Sequence, residues 1–196
     1  MDILGHLKTI NRHKFMLMRY CFKVGLYKQG LLHDLSKYTP SEFLIGVKYY
    51  QAGKRSPNNA EREEKGYSSA WLHHKGRNKH HWEFWTDYVP GVNHLTGCKM
   101  PEKYVIEMFL DRVAASKNYN RDSYEDYFPL DYYLKGRDHY SLHPDTKRLL
   151  EKLLHMLAEK GEEKTLKYLK EELVPRIKRK NRKIFKRRTG PKNEKK

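Results

Sequence analysis

Apolar residues recur at intervals of three and four along almost the whole chain, and nowhere do they alternate convincingly with polar ones. Helices suit that spacing, because a helical side chain returns to the same face every 3.6 residues, whereas a strand turns its side chains over at every step. In "HKFMLMRYCFKVG", Leu17, Tyr20, Cys21 and Val24 share one side and Gly25 supplies a stop. "GLYKQGLLHDLSK" reads as a short second helix, weakened by Gly30, with Leu31 and Leu32 anchoring its end in the core. "TPSE" reads as a capping box that starts a third helix: Thr39 is the N-cap, Pro40 the first helical residue, and Glu42 reaches back to the cap amide. "AGKRSPNNAEREEKG" is polar and glycine-bounded, which predicts an exposed loop, and "VPGVNHLTGCK" predicts another. Val105, Ile106, Phe109, Leu110 and Val113 mark a mostly buried helix opened by Pro101. "HPDTKRLLEKLLHMLAEKG" and "EEKTLKYLKEEL" are two amphipathic helices. The expectation is an all-α bundle over residues 1–175, without strands or internal repeats, followed by a disordered basic tail over 176–196.

Charge separates these two parts. The 196 residues carry a net charge of +17, and twelve of the 41 Lys and Arg lie from Arg176 onward against the single acid Glu194. The rest of the chain is therefore only mildly basic. Such a tail can contact nucleic-acid phosphates with salt-sensitive, sequence-independent affinity, through Arg179, Lys180, Arg182, Lys183, Lys186, Arg187 and Arg188. It can equally be a solvated extension, since Phe185 is its one aromatic residue. Cys21 and Cys98 are too few for a disulfide framework. The first residues lack an apolar signal core, and no run of about eighteen apolar residues occurs. The reading is a cytoplasmic protein without a membrane partner.

The placement of the 11 histidines matters more than their number. His13 stands alone, His33 and Asp34 are adjacent, and "WLHHKGRNKHHWEFW" holds His73, His74, His80 and His81. Asp111 is an acid inside an apolar helix, where an unpaired carboxylate is costly, so it calls for a cation: Arg112, a lysine or a metal. Adjacent His and Asp can reach one ion where their helix ends, because neighbours on a continuous helix point about 100° apart. Imidazole and carboxylate donors suit zinc, manganese, iron or magnesium. His74 and His81 are seven residues apart and share a face unless Gly76 breaks the helix. His74 is therefore the first candidate, with His80 and His81 both retained and His73 read as their outward neighbour. A surface ion pair at His33 and Asp34, and a solvated basic loop over residues 73–81, remain alternatives. Lys37 is placed to meet a phosphate oxygen as a point charge, with Asn78 and Arg112 as further contacts. His6 and His155 lack clustered partners and read as structural.

His13 in "RHKFMLMRYCFKVG", the pair in "LLHDLSK" and Asp111 in "EMFLDRVAAS" together resemble the HD superfamily of metal-dependent phosphohydrolases. Ser36 stands where that superfamily has glycine, and "WLHHKGRNKHHWEFW" stands where its two-metal members add histidines. More narrowly, "HDLSKYTPSEF" with "AWLHHKGRNKHHWEFW" is similar to a domain-of-unknown-function family of bacteria and phages, over roughly Met1 to Tyr119. His13 lies closer to His33 than is usual in HD proteins, and the internal histidines are packed into one segment. The resemblance implies a helical bundle holding one or two divalent ions through His13, His33, Asp34, His74, His80 or His81, and Asp111. It also implies hydrolysis of a phosphoester or nucleotide by a metal-activated water, with Asp34 bridging two ions and Lys37, Asn78 and Arg112 on the phosphate. Some HD-fold proteins are di-iron oxygenases, so the same ligands imply that chemistry as an alternative. A nucleic-acid-binding module with a structural metal is the non-enzymatic alternative.

Overall fold

The computed structural model describes residues 1–189, with side chains through residue 182. The helical spacing is realised from the first turn, where Asp2 Oδ1 accepts the Gly5 amide at 2.7 Å and starts α1 (Ile3–Lys23). Next come α2 (Tyr27–Leu32), a 3₁₀ turn at Leu35–Tyr38, α3 (Pro40–Lys48), α4 (Pro57–Lys65) and α5 (Ser69–Lys75). Two short strands, β1 (Thr86–Asp87) and β2 (Thr96–Gly97), pair antiparallel, Thr86 with Gly97 and Asp87 with Thr96. The remaining helices are α6 (Glu102–Asn120), α7 (Phe128–Gly136), α8 (Pro144–Tyr168) and α9 (Val174–Thr189), with one π turn at Leu169–Leu173 joining the last two. The all-α expectation holds. The ladder, missed in the sequence, is too short for a period of two to register.

Helix α6 is the axis of the core and packs against α1, α7, α8 and α9. Its Val105, Ile106, Phe109, Leu110 and Val113 are almost fully covered, by Leu17, Tyr20 and Cys21 of α1 and by Leu150, Leu153, Leu154 and Leu157 of α8 among others. Each such side chain contributes about 1.5–3 kcal/mol through removal of its surface from water. The two late amphipathic segments are one helical run bent at Gly161, whose φ of 81° interrupts α8.

Four local expectations are corrected. Residues 57–65 are helical rather than a loop: Pro57 occupies the first turn, Gly66 ends the helix, and Glu61 is fully buried. The helix was hidden because its inward residue is a carboxylate, not an apolar side chain. Glu61 accepts hydrogen bonds from Ser68 Oγ at 2.7 Å, Ser69 Oγ at 2.6 Å and the Ala70 amide at 3.4 Å. Burial pushes its pKa up, but these donors and Lys65 more than offset that and hold it at about 2.

Leu31 and Leu32 do not anchor α2, since both are 54% exposed. Instead α2 docks through Gly30, where a Cβ would lie 2.9 Å from the Cys21 Cβ and 3.3 Å from the Met18 Cα, so only glycine permits this approach. The capping box does not form either. Thr39 is the N-cap of α3, but its hydroxyl donates back to Ser36 O at 2.6 Å, and the Glu42 carboxylate faces histidines instead of the cap amide.

The chain also does not leave the bundle at Arg176. Helix α9 carries on through it with Val174 and Ile177 buried in the core, so the boundary drawn at 175 falls inside a helix. The disorder expected of the tail concerns residues that lie, from 190 onward, outside those described.

Candidate metal centre

The end of α2 sets up the site. Lys14 Nζ on α1 donates to the carbonyls of Leu31 at 3.1 Å and His33 at 2.7 Å, pinning the terminus of α2 against α1. The chain then turns through Asp34, whose φ of 53° and ψ of 25° place it in the left-handed region. That conformation costs about 1–2 kcal/mol for a residue with a Cβ, less for Asp than for most. It breaks the helical path between the neighbours, so the side chains of His33 and Asp34 are both buried, at 1% and 2% exposure.

Asp34 is the hub. Its Oδ2 lies 3.2 Å from His33 Nε2 and 3.9 Å from His13 Nε2, while Oδ1 lies 3.3 Å from His74 Nε2 and 3.4 Å from His80 Nε2. Asp111 Oδ1 closes the first side, 2.9 Å from His13 Nε2 and 3.4 Å from His33 Nε2. His81 closes the second, its ring centroid 4.1 Å from that of His80 and 4.7 Å from that of His74. Three groups among the described residues could hold a metal ion, and two of them share one carboxylate: His13, His33, Asp34 and Asp111, and Asp34, His74, His80 and His81; the third joins His33 and His80 to Glu107. Every histidine and aspartate named from the sequence as a ligand is in one of them.

The donor spacing suits a cation. Ligand atoms about 2.0–2.2 Å from a tetrahedral metal stand roughly 3.3–3.6 Å apart, and the measured separations from 2.9 to 3.9 Å bracket that. Close as they are, His13 Nε2, His33 Nε2, Asp34 Oδ1, His80 Nε2 and His81 Nε2 are buried and make no hydrogen bond. Buried polar atoms are ordinarily satisfied, and five converging exceptions are what ligation by a cation would satisfy.

Carboxylates behind the imidazoles fix which nitrogen faces inward. Glu107 Oε1 lies 3.0 Å from His33 Nδ1 and 3.4 Å from His80 Nδ1. Glu42 reaches His73 Nδ1 at 2.7 Å and His74 Nδ1 at 2.8 Å. His33, His74 and His80 are thus each held at Nδ1 with Nε2 turned toward Asp34, the arrangement in which an outer carboxylate orients a ligating histidine. Sequence reading missed Glu107 and gave Glu42 a different task. The available signal for Glu107 was its place four residues before Asp111, on the same face of α6.

Burial alone would protonate the acids, but cationic neighbours reverse this. The charges of His33, Lys37 and His74 hold Asp34 well below the usual carboxylate range, and the close approach of His13 and His33 does the same for Asp111. Burial, then the neighbouring His80 and His74, push His81 well below its ordinary value, leaving a neutral imidazole with a free lone pair.

The residues expected to meet a phosphate fare differently. Lys37 Nζ sits 2.6 Å from Asp34 Oδ2 and lines a large cavity in front of the cluster. Arg112 lines the same cavity, its guanidinium 5.2 Å from the Tyr140 ring and 5.7 Å from that of Tyr133, with Nε buried and unpartnered. It is not the partner of Asp111, which His13 and His33 take. Asn78 is corrected: it is buried, and its amide donates to Ser36 Oγ at 2.8 Å and His74 O at 2.9 Å, so it closes the end of α5 instead of facing a ligand. The alternative of a solvated loop fails with it, since His74 and His80 are buried and Trp71 lies against both His74 and His81. His73, bonded to Glu42, stays outside the cluster as expected.

Of the basic residues, Arg179, Lys180 and Arg182 are exposed on α9, while the side chains of Lys183, Lys186, Arg187 and Arg188 lie outside those described. Among the described residues, no helix is long and apolar enough to cross a membrane.

No curated protein and no solved structure matches the chain. One family model does, over residues 2–156, a span that holds every residue of the cluster and both outer carboxylates and stops short of α9. The chain belongs to that family, the family of unknown function DUF5662.

Proposed function

We propose that the chain is a metal-dependent phosphohydrolase of HD type that acts on a phosphoester or nucleotide with two divalent ions bound. The observation that carries this reading is Asp34, which turns one oxygen to each of two histidine clusters in front of a cavity lined by Lys37 and Arg112. When bound, divalent ions lower the pKa of a coordinated water toward neutrality and withdraw charge from a phosphoryl oxygen.

The chain's own residues do the rest. Asp34 would bridge the ions, His13, His33 and Asp111 would hold one, and His74, His80 and His81 the other. Glu107 and Glu42 keep the imidazoles in the tautomer that offers Nε2. Lys37 and Arg112 stand where charge builds on a transferring phosphoryl group and stabilise it there. Cationic groups beside the cluster favour phosphate over dioxygen as the reacting partner, which ranks hydrolysis above the di-iron oxygenase alternative.

The decisive experiment uses Asp34→Ala and the full chain loaded with manganese or zinc. The parent is expected to bind about two equivalents by calorimetry and to turn over a phosphoester panel, and the variant to lose turnover while keeping its helical circular dichroism. A folded Asp34→Ala that retains turnover ends the proposal. Stoichiometric iron in protein purified without added metal, with oxygen-dependent absorbance changes, replaces it by the oxygenase.

A further inference from the structure

The cavity in front of the cluster has a volume of about 780 Å³, far more than one phosphate group needs and within the range of small-molecule sites. It also runs well beyond the metal ligands. Along α1 its wall passes from His13 through Ile10 and Thr9 to His6, and seven residues of helix span about 10 Å. The other end of the cavity is built from His6, Tyr50 and the segment Gly53–Arg55.

That end is polar in a specific way. His6 is only 6% exposed, sits between the rings of Phe43 and Tyr50 at 5.4 and 5.6 Å, and has no partner for Nδ1. Its ring lies so close over α3 that a Cβ on Gly46 would come within 2.3 Å of Nε2, so the imidazole is held in place. Gly53 lies near Thr9, the Tyr50 hydroxyl and the Arg121 guanidinium, where a Cβ would be 3.6, 3.8 and 3.8 Å from their polar atoms, and Arg55 follows two residues later in the same stretch of the lining. Arg55 has Glu63 2.7 Å from Nη2, yet its Nε is buried without an acceptor. Lys54 lines the cavity beside it.

The lining carboxylates do not meet this need. Glu42 is bonded to His73 and His74, Asp111 is held by His13, and Asp131 is paired with Lys135, while Glu83, two residues after His81, keeps a buried Oε2 that is itself bonded to no donor. Arg55 and His6 both line one cavity and each keeps a buried nitrogen without a hydrogen-bond partner, which suits an oxyanion that draws the two side chains toward it, because ionised acceptors make the strongest bonds to such donors.

We propose that this far end is an anion subsite, in which Arg55 and His6 receive a second acidic group of the substrate, so that the substrate carries two anionic groups about 10 Å apart. The inference rests on the metal end being the phosphoester site. The second group is a phosphate or a carboxylate, and the donors described accept either.

Calorimetry on the manganese-loaded full chain tests this without turnover. The probes are hexyl phosphate, hexane-1,6-diyl bisphosphate, 6-phosphonooxyhexanoate and ethane-1,2-diyl bisphosphate, the last having the charge of the long bisphosphate without its reach. The six-carbon bisphosphate is expected to bind at least about tenfold tighter than hexyl phosphate and than the two-carbon bisphosphate. The phosphonooxyhexanoate arm shows whether a carboxylate serves as well as a phosphate. In Arg55→Gln, at an accessible loop, the advantage shrinks to about threefold or less, and His6→Gln, checked for native circular dichroism, does the same. Equal binding of the long and short bisphosphates overturns the subsite, as does an advantage that survives in Arg55→Gln. Length-dependent binding without hydrolysis of p-nitrophenyl phosphate overturns the hydrolase reading and leaves the subsite standing.

Discussion

The two sides of α6 carry opposite chemistry on one backbone. Val105, Ile106, Phe109, Leu110 and Val113 face the bundle core at no more than 2% exposure, while Glu107 and Asp111, one turn apart, face the histidines. The apolar side is stabilised by many small contacts, each independent of the ionisation of its neighbours. The polar side is a balance of buried charges that holds only as a set, because each group keeps its neighbours ionised. The helix therefore ties a stable core to a cluster of groups that could hold a metal ion.

The widest separation of the two sides comes from Phe109→Ala. A cavity in the core is expected to cost about 3–5 kcal/mol in chemical denaturation, with metal stoichiometry unchanged in the folded protein. Loss of metal from folded Phe109→Ala would mean that the two sides are coupled. Glu107→Gln works from the polar side. Weakened orientation of His33 and His80 should lower metal affinity by about 10–100-fold by calorimetry, while the protein remains folded. An unchanged affinity would demote Glu107 to a structural partner. The smallest effect belongs to Leu31→Ser and Leu32→Ser, on the exposed side of α2, each within about 0.5 kcal/mol of the parent in urea melts. A cost near that of Phe109→Ala would restore those leucines to the core.

Legibility in the sequence followed the range of the interaction. Helix α6 and the start of α8 were readable because periodicity and a proline at the helix start, Pro101 as the N-cap of α6 and Pro144 in the first turn of α8, are local signals. The His33 and Asp34 pair was readable because the end of α2 is local as well. The helix at Pro57–Lys65 was not, although Pro57 and Gly66 marked its ends, because Glu61 occupies the position where an apolar residue would have revealed the buried side. Glu42 was misassigned for a related reason. A carboxylate three residues after a threonine satisfies the capping pattern locally, and only the approach of α5, bringing His73 and His74 within 2.8 Å, decides otherwise.

By itself the sequence determined the helical class, the seven candidate ligands, and the break in the helix that allows adjacent His and Asp to turn inward together. Those features depend on residue type and on spacings of a few positions. The tertiary structure alone decided that the ligands form two groups sharing Asp34, that Glu107 and Glu42 stand behind the imidazoles, that Asn78 closes a helix end, and that His6 and Arg55 border the same cavity. The reason is physical. A side chain's partner in a folded core is set by how separate helices pack, and the energy that selects that packing is summed over the whole interior, so no short stretch of sequence contains it.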